Sequence, residues 1–179
     1  MNREVIEKVQ LDLAETCNNA FPRNIVEYCD SLNIKVKETD ALSSNISGLI
    51  YKENDKYQIL INSKQSIGRK AFTIAHELGH YFLHKDYLDK TEEIVSLSKG
   101  SYEELPALAR ACTIDPNDME YKKMEVEAND FAANILMPKD EFLKQCQNLD
   151  SIDDVARYFG VSISAATIRA DRVGGLYFL

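Results

Sequence analysis

Apolar residues recur at helical spacing in two long segments of the chain, which predicts two amphipathic helices. The first begins after Ser66, a suitable N-cap, and continues through Leu83. Its apolar positions are Ala71, Phe72, Ala75, Leu78, Gly79, Phe82 and Leu83. The second contains Met124 and is ended by Pro138. Its predicted buried stripe, rich in small alanines that permit close approach to the first helix, consists of Ala128, Ala132, Ile135 and Leu136.

Shorter patterns predict two more helices and a small sheet. Residues 3–16 and 22–32 have helical spacing, and Pro22 suits the first turn of the second of these helices. Residues 34–37 are typical of a short strand. Residues 48–52 and 56–62 flank Glu53-Asn54-Asp55, which predicts a hairpin. The polar segment 85–120 includes a candidate helix at 105–112, and its length suits either a flap or a disordered insertion.

Composition indicates a globular protein of one domain, with room for a small appendage in its 179 residues. The four cysteines are widely spaced and form no CxxC pair, which favours reduced intracellular thiols over a disulfide framework. No signal peptide or membrane span is indicated, so we expect a cytoplasmic protein. The net charge of 21 − 29 = −8 disfavours nucleic-acid binding and suits a basic protein partner.

The five residues from His76 to His80, with the sequence His-Glu-Leu-Gly-His, form an HExxH motif in the first long helix. Histidines four residues apart lie on one face of a helix, so both imidazoles can reach one metal ion. Glu77 follows the first histidine and can act as a general base towards water activated by Zn²⁺. All three histidines of the chain fall between positions 76 and 84. The motif predicts zinc ligands at His76 and His80 and hydrolysis of a polarised carbonyl.

A catalytic zinc commonly takes a third protein ligand. His84 is unsuitable, because eight residues at about 1.5 Å each place it about 12 Å from His76 on a continuous helix. We expect it to be a helix-end residue, favourable near the negative pole of the helix dipole. Glu125 shares the inward face of the second helix and is the preferred ligand, with Glu127 as the alternative. Asn129, four residues after Glu125, is placed to hydrogen-bond a ligand.

These two motifs, HELGH and EVEANDFAANILMP, resemble those of the ImmA/IrrE family of bacterial and phage metallopeptidases. The resemblance covers about positions 20 to 140. It implies an α+β, gluzincin-like fold, in which a small, mostly antiparallel sheet packs on the HExxH helix. It also implies that His76 and His80 are ligands, Glu77 is the catalytic base and Glu125 is the third ligand. In zincin-like folds an edge strand beside that helix binds extended substrate, a role we expect for residues 57–62 or their hairpin partner.

Members of this family relieve repression by cutting a helix-turn-helix transcriptional repressor. No N-terminal DNA-binding domain is evident here, so the resemblance implies a repressor on a separate chain as the protein substrate. We therefore expect a zinc-dependent endopeptidase acting as an anti-repressor. The alternatives are a non-catalytic regulator-binding protein and a DNA-binding protein, each with a structural metal. An intact Glu77 argues against a purely structural site.

Residues 151–172 have the pattern of a helix-turn-helix pair. Ala156 is expected to pack inside its first helix, Gly160 to form the turn and Ser162 to cap the second helix. From Asp150 to Arg172 the chain has three arginines and four aspartates, a local sum of 3 − 4 = −1. This charge favours packing or repressor docking over DNA contact. We expect a metallopeptidase domain over 1–148 and this helical appendage over 149–179.

Overall fold

The computed structural model describes residues 3–91, 93–97 and 119–174. Within these ranges the chain forms eight helices and one four-stranded sheet, so the predicted mixed α+β class is confirmed. The helices are α1 (Arg3–Thr16), α2 (Ile25–Ser31), α3 (Ile67–Leu83), α4 (Lys85–Thr91), α5 (Met119–Leu136), α6 (Lys139–Asn148), α7 (Ile152–Phe159) and α8 (Ile163–Val173). The strands are β1 (Lys35–Thr39), β2 (Ile46–Glu53), β3 (Lys56–Asn62) and β4 (Glu93–Leu97). No helix in these ranges has both the length and the apolar character needed to cross a membrane.

The strands of the sheet lie in the order β1-β3-β2-β4. β2 runs antiparallel to β3 and β4, whereas β1 runs parallel to β3, so the sheet is mostly antiparallel as predicted. The expectation that β3 or its hairpin partner β2 forms an edge is wrong, because both are interior strands. The outer strands of the described sheet are β1 and β4.

The segment 85–120 begins with α4 and β4, neither of which the residue pattern predicted. β4 pairs with β2 and thereby completes the sheet. The candidate helix at 105–112 lies outside the described residues.

The predicted hairpin joins β2 and β3 through Asn54 and Asp55. Both residues have positive φ, 50° and 60° respectively. Two such residues form a type I′ turn, whose twist matches that of the flanking strands. Asparagine and aspartate tolerate this left-handed conformation better than most side chains, which explains why this short turn fixes the register of the hairpin.

The second helix begins three residues later than predicted. Pro22 precedes it, and Asn24 is its N-cap, because the Asn24 side chain accepts a hydrogen bond from the backbone N–H of Glu27. A side-chain cap of this kind satisfies one of the free N–H groups at a helix start. The start of α2 is therefore set by the asparagine and not by the proline.

Helix α3 contacts the sheet through β2 and β3 and packs most extensively against α5. Eight consecutive residues of α3, from Thr73 to His80, are buried, because the helix is covered on more than one face. Ser66 occupies the N-cap position as predicted, although its side chain makes no capping hydrogen bond. The predicted stripe on α5 is buried at all four positions, Ala128, Ala132, Ile135 and Leu136. The core of the protein thus surrounds the HExxH segment.

Gly79 is the point of closest approach between α3 and α5. A Cβ atom added at Gly79 would lie 2.9 Å from the Cα of Ala128 and 3.2 Å from its carbonyl oxygen. Backbone atoms cannot rotate away as the end of a long side chain can. Any larger residue at position 79 must therefore push the two helices apart.

We expect Gly79→Ala to lower the free energy of unfolding by up to about 2 kcal/mol. Alanine gains about 1 kcal/mol of helix propensity over glycine, but overpacking against a fixed neighbour costs about 1–3 kcal/mol. Urea unfolding would measure the difference. Arg69→Ala, at an exposed position of the same helix, is the control and should change stability by less than about 0.5 kcal/mol. A Gly79→Ala protein more stable than the parent would contradict this account of the contact.

The C-terminal helices have the local features that the sequence pattern predicted. Ala156 is buried, Gly160 ends α7 with a left-handed φ of 65°, and the Ser162 side chain caps α8 by accepting from the N–H of Ala165. Apolar residues of α7 and α8 join the same core cluster as those of α3. The division at residue 149 stays a prediction.

Candidate metal centre

Helix α3 brings three polar side chains of the HExxH motif into the interior. His76 is 6% exposed, while Glu77 and His80 have no exposed surface. The helical spacing stacks the two imidazoles, whose Nε2 atoms are 3.1 Å apart. Burial of three such groups within two turns of a helix is costly unless they bind a partner. Their arrangement therefore indicates a binding site.

Glu125 of α5 completes a compact group with these two histidines. Its Oε2 lies 3.5 Å from His76 Nε2, and its Oε1 lies 3.1 Å from His80 Nε2. The candidate ligand atoms of the three residues all lie within 4.8 Å of one another. Glu125, the glutamate that the sequence favoured as the third ligand, is thus the one that lies beside both histidines. Glu127 points elsewhere, as described below.

The separations between these atoms fit a tetrahedral metal ion. Zinc binds imidazole nitrogen and carboxylate oxygen at about 2.0–2.2 Å, so neighbouring ligand atoms of a tetrahedral site are about 3.3–3.6 Å apart. The two Nε2 atoms are 3.1 Å apart, and the Glu125 carboxylate places Oε1 3.1 Å from His80 Nε2 and Oε2 3.5 Å from His76 Nε2, all close to this separation. Two imidazoles and one carboxylate are also a donor set that zinc accepts in catalytic sites. The residues present therefore fit a zinc ion.

Asn129 orients His76 from the same helix that supplies Glu125. Its Nδ2 donates to the backbone carbonyl of Glu125 over 2.8 Å, which turns its Oδ1 towards His76. That oxygen lies 3.2 Å from His76 Nδ1. An amide oxygen can only accept, so Nδ1 carries the proton of a neutral His76 and Nε2 keeps its lone pair for a metal. The predicted position of Asn129 beside a ligand agrees with this contact.

The protonation equilibria of the group depend on burial and on Glu125. Burial lowers the pKa of His80 to about 4 despite the nearby carboxylate. Burial also opposes a charge on His76, but the hydrogen bond and charge of Glu125 outweigh it and raise the pKa of His76. Burial disfavours ionised Glu125, yet its bonds to both histidines hold its pKa well below the usual range. Glu125 is therefore a carboxylate at neutral pH, the form that binds metals.

His84 ends α3, as predicted, and lies beside the group without joining it. Its Nδ1 is 3.0 Å from His80 Nδ1, and its Nε2 is 3.1 Å from Glu127 Oε2. The expectation of a favourable charge at the helix end is not supported, because burial lowers the pKa of His84 and disfavours its cation. Glu127 therefore pairs with His84, whereas Glu125 faces His76 and His80.

Gly48 of β2 is a site residue that the sequence pattern did not reveal. A Cβ atom added at Gly48 would lie 2.7 Å from Thr73 Cγ2 and 3.3 Å from Glu77 Oε1. The absent side chain lets the Glu77 carboxylate lie between α3 and the strand. A glycine inside an alternating strand was the only available signal, since it often marks a close approach.

Comparisons with known proteins agree with a metallopeptidase-like chain. The sequence model of the IrrE N-terminal-like domain family, Peptidase_M78, matches residues 29–171. Metallopeptidase ImmA of Bacillus subtilis (strain 168) is 28% identical over 154 residues, which cover 84% of this chain and 77% of that protein. Uncharacterized immunity region protein 2 of Bacillus phage phi105 is 29% identical over 148 residues, which cover 82% and 78% of the two chains.

A solved structure shares the fold. It is described as a Mycobacterium tuberculosis transcriptional regulator and matches with a TM-score of 0.61 at 20% identity. The match covers 94% of this chain and 47% of that one, so the chain spans about half of the larger structure.

Proposed function

Since this chain belongs to the ImmA/IrrE family of metallopeptidases, matched by the IrrE N-terminal-like domain, we propose that it is a zinc-dependent endopeptidase. The single observation that carries the proposal is the compact group of His76, His80 and Glu125 beside the buried Glu77. We assign the first three as metal ligands and Glu77 as the catalytic base. We also assign the fold as gluzincin-like, with a glutamate ligand supplied by the helix α5.

The chain's own residues account for the proton transfers of peptide hydrolysis. A zinc ion held by the three ligands would polarise the scissile carbonyl and make water more acidic. Glu77 takes a proton from the attacking water as the new C–O bond forms. It then delivers that proton to the amine nitrogen as the C–N bond breaks. The dry surroundings of Glu77 strengthen these electrostatic interactions.

The outer edge of β4 is the proposed position for an extended substrate. Gly48, which lies against Glu77, pairs across β2 and β4 with Ser96. A peptide paired with β4 would lie about 4.8 Å from β4, which is the spacing between neighbouring strands. Strand addition at a sheet edge binds the main chain and leaves side chains free to confer specificity. We therefore assign the binding of extended substrate to β4, because the hairpin strands β2 and β3 are interior strands.

We propose a separate DNA-binding repressor of the helix-turn-helix class as the substrate. One relative is named a metallopeptidase and another an immunity region protein, while the similar structure is a transcriptional regulator. The net charge of −8 is complementary to a basic DNA-binding protein. We further propose residues 149–179 as a helix-turn-helix-like appendage that docks this repressor in the cytoplasm.

Direct DNA binding by α8 is disfavoured by the environment of its arginines. Arg169 is buried and donates to the Met137 carbonyl and to Asn134 Oδ1. Arg172 pairs with Asp130. Arg157 of α7 pairs with the two aspartates of its own first turn. Phosphate contacts depend on available cations, and one buried arginine and two arginines paired with aspartates reduce the positive charge that these helices offer.

The test combines metal analysis with cleavage of purified helix-turn-helix repressors from the same genome. We expect about one zinc per chain by elemental analysis. Cleavage should occur with zinc, stop after removal by a chelator and return on adding zinc, with termini mapped by mass spectrometry. Absence of zinc after reconstitution would overturn the proposal. Cleavage that persists in the chelated protein would overturn the metal assignment.

A further inference from the structure

His84 and Glu127 form a hydrogen-bonded chain that ends on His80. Glu127 Oε2 is 3.1 Å from His84 Nε2, and His84 Nδ1 is 3.0 Å from His80 Nδ1. Both histidines are buried, so water does not compete freely for these nitrogens. Glu127 is half-buried and also lies 4.0 Å from Lys123 Nζ. These hydrogen bonds connect α5 to the side of the His80 ring that faces away from the proposed metal.

The positions of the protons follow from what each group can donate or accept. A carboxylate only accepts, so the proton between His84 and Glu127 belongs to His84 Nε2. A neutral imidazole has one N–H, so His84 Nδ1 is then an acceptor. The close contact between the two Nδ1 atoms therefore requires the proton of His80 Nδ1. His80 Nε2 is left with its lone pair directed towards Glu125 and His76.

We propose that His84 and Glu127 are positioning residues that hold His80 in the Nδ1–H tautomer required for metal binding through Nε2. The inference rests on the proposed function, because it takes His80 as a ligand. It gives each ligand histidine its own support from α5: Asn129 for His76 directly, and Glu127 for His80 through His84. Such supporting partners fix the ring orientation and raise the basicity of the ligand.

Zinc affinity, measured by competition with a chelator of known affinity, is the first readout. We expect His84→Phe to bind zinc about ten- to a hundredfold more weakly than the parent. Glu127→Ala should lose about tenfold or less, and Glu127→Gln should recover part of it, because an amide oxygen still accepts from His84 Nε2. The double variant His84→Phe/Glu127→Ala should match His84→Phe alone, since Glu127 acts only through His84.

Glu141→Ala is the matched control for removal of a carboxylate. The Glu141 side chain is 25% exposed, compared with 26% for Glu127, and it also accepts several side-chain hydrogen bonds. It lies on α6 and bonds none of the histidines. We expect its zinc affinity to equal that of the parent. Circular dichroism of each variant separates loss of fold from loss of affinity. If His84→Phe does not fold, the zinc affinities of Glu127→Ala and Glu127→Gln test the proposal instead.

The ¹⁵N spectrum of the histidine rings reports the tautomers directly. The chain has only three histidines, so single variants assign every ring nitrogen. In the zinc-loaded parent we expect a proton on His80 Nδ1, with metal on His80 Nε2, and a proton on His84 Nε2. A proton on His84 Nδ1 would overturn the inference, as would a His84→Phe protein that is folded and binds zinc as tightly as the parent. A parent that binds no zinc would overturn the proposed function itself.

Discussion

Glu77→Gln is expected to bind as much zinc as the parent and to cleave the repressor at least about a hundredfold more slowly. Glutamine has nearly the same size and shape, so the buried space between α3 and Gly48 stays filled. Its amide cannot take a proton from water at neutral pH. Glu77 is not one of the three residues that surround the proposed metal position, which is why zinc content should be unchanged. Elemental analysis measures the zinc content, and intact-mass spectrometry of timed samples measures the cleavage rate.

Glu38→Gln is the control for this exchange of a carboxylate for an amide. Glu38 is exposed on β1 and pairs with Lys70 of α3, so it touches the same helix far from the histidines. Its cleavage rate should equal that of the parent. If Glu77→Gln cuts at the parental rate, Glu77 is not the base. If it loses zinc as well as activity, the carboxylate contributes to the metal site and not only to proton transfer.

The residue pattern predicted those elements that are determined by residues within one short segment of the sequence. The α3 helix has an apolar stripe of its own, and the hairpin of β2 and β3 has a turn whose two residues tolerate positive φ. The four buried residues of α5 were found for the same reason, because their spacing follows one helix face. Such features depend on period and turn chemistry, which a single segment contains.

Strand order depends on pairing between distant segments, and the pattern could not supply it. β1 precedes β2 in the chain, yet it pairs with β3, in parallel, on the side of β3 that faces away from β2. β4 is five residues long and lies in a segment that is mostly polar, so it has no distinct signal. The role of edge strand was therefore given to the hairpin and belongs, in the described sheet, to β1 and β4.

The candidate site was predictable as far as helical geometry determines it. His76 and His80 are one turn apart, and the position of Glu125 relative to Ala128 and Asn129 placed it on the inward face of α5. The spacing argument disfavoured His84 as a ligand, and His84 lies outside the group formed by His76, His80 and Glu125. It could not reveal the contact of His84 with Glu127, because that contact depends on how α3 and α5 cross. Gly48 was missed for the same reason.

Glu125 and Glu127 of α5 are expected to differ sharply in their importance for zinc. Glu125→Ala removes the only carboxylate within ligand distance of both His76 Nε2 and His80 Nε2 among the described residues. It leaves two neutral imidazoles, which lack the negative charge that offsets a divalent cation. We expect zinc in the purified protein to fall from about one per chain to a small fraction of that value. Repressor cleavage should be lost with it.

Glu127→Ala, two residues along the same helix, should keep close to one zinc per chain at micromolar protein, because it weakens a support and not a ligand. Elemental analysis after gel filtration compares the parent and both variants. The separation of the two glutamates rests on the pairing of Glu127 with His84 and of Glu125 with the other two histidines. Zinc retained by Glu125→Ala and lost by Glu127→Ala would assign the third ligand to Glu127. The helix α5 would then have to rotate by about 160° to bring that residue to the metal, since successive residues are about 100° apart.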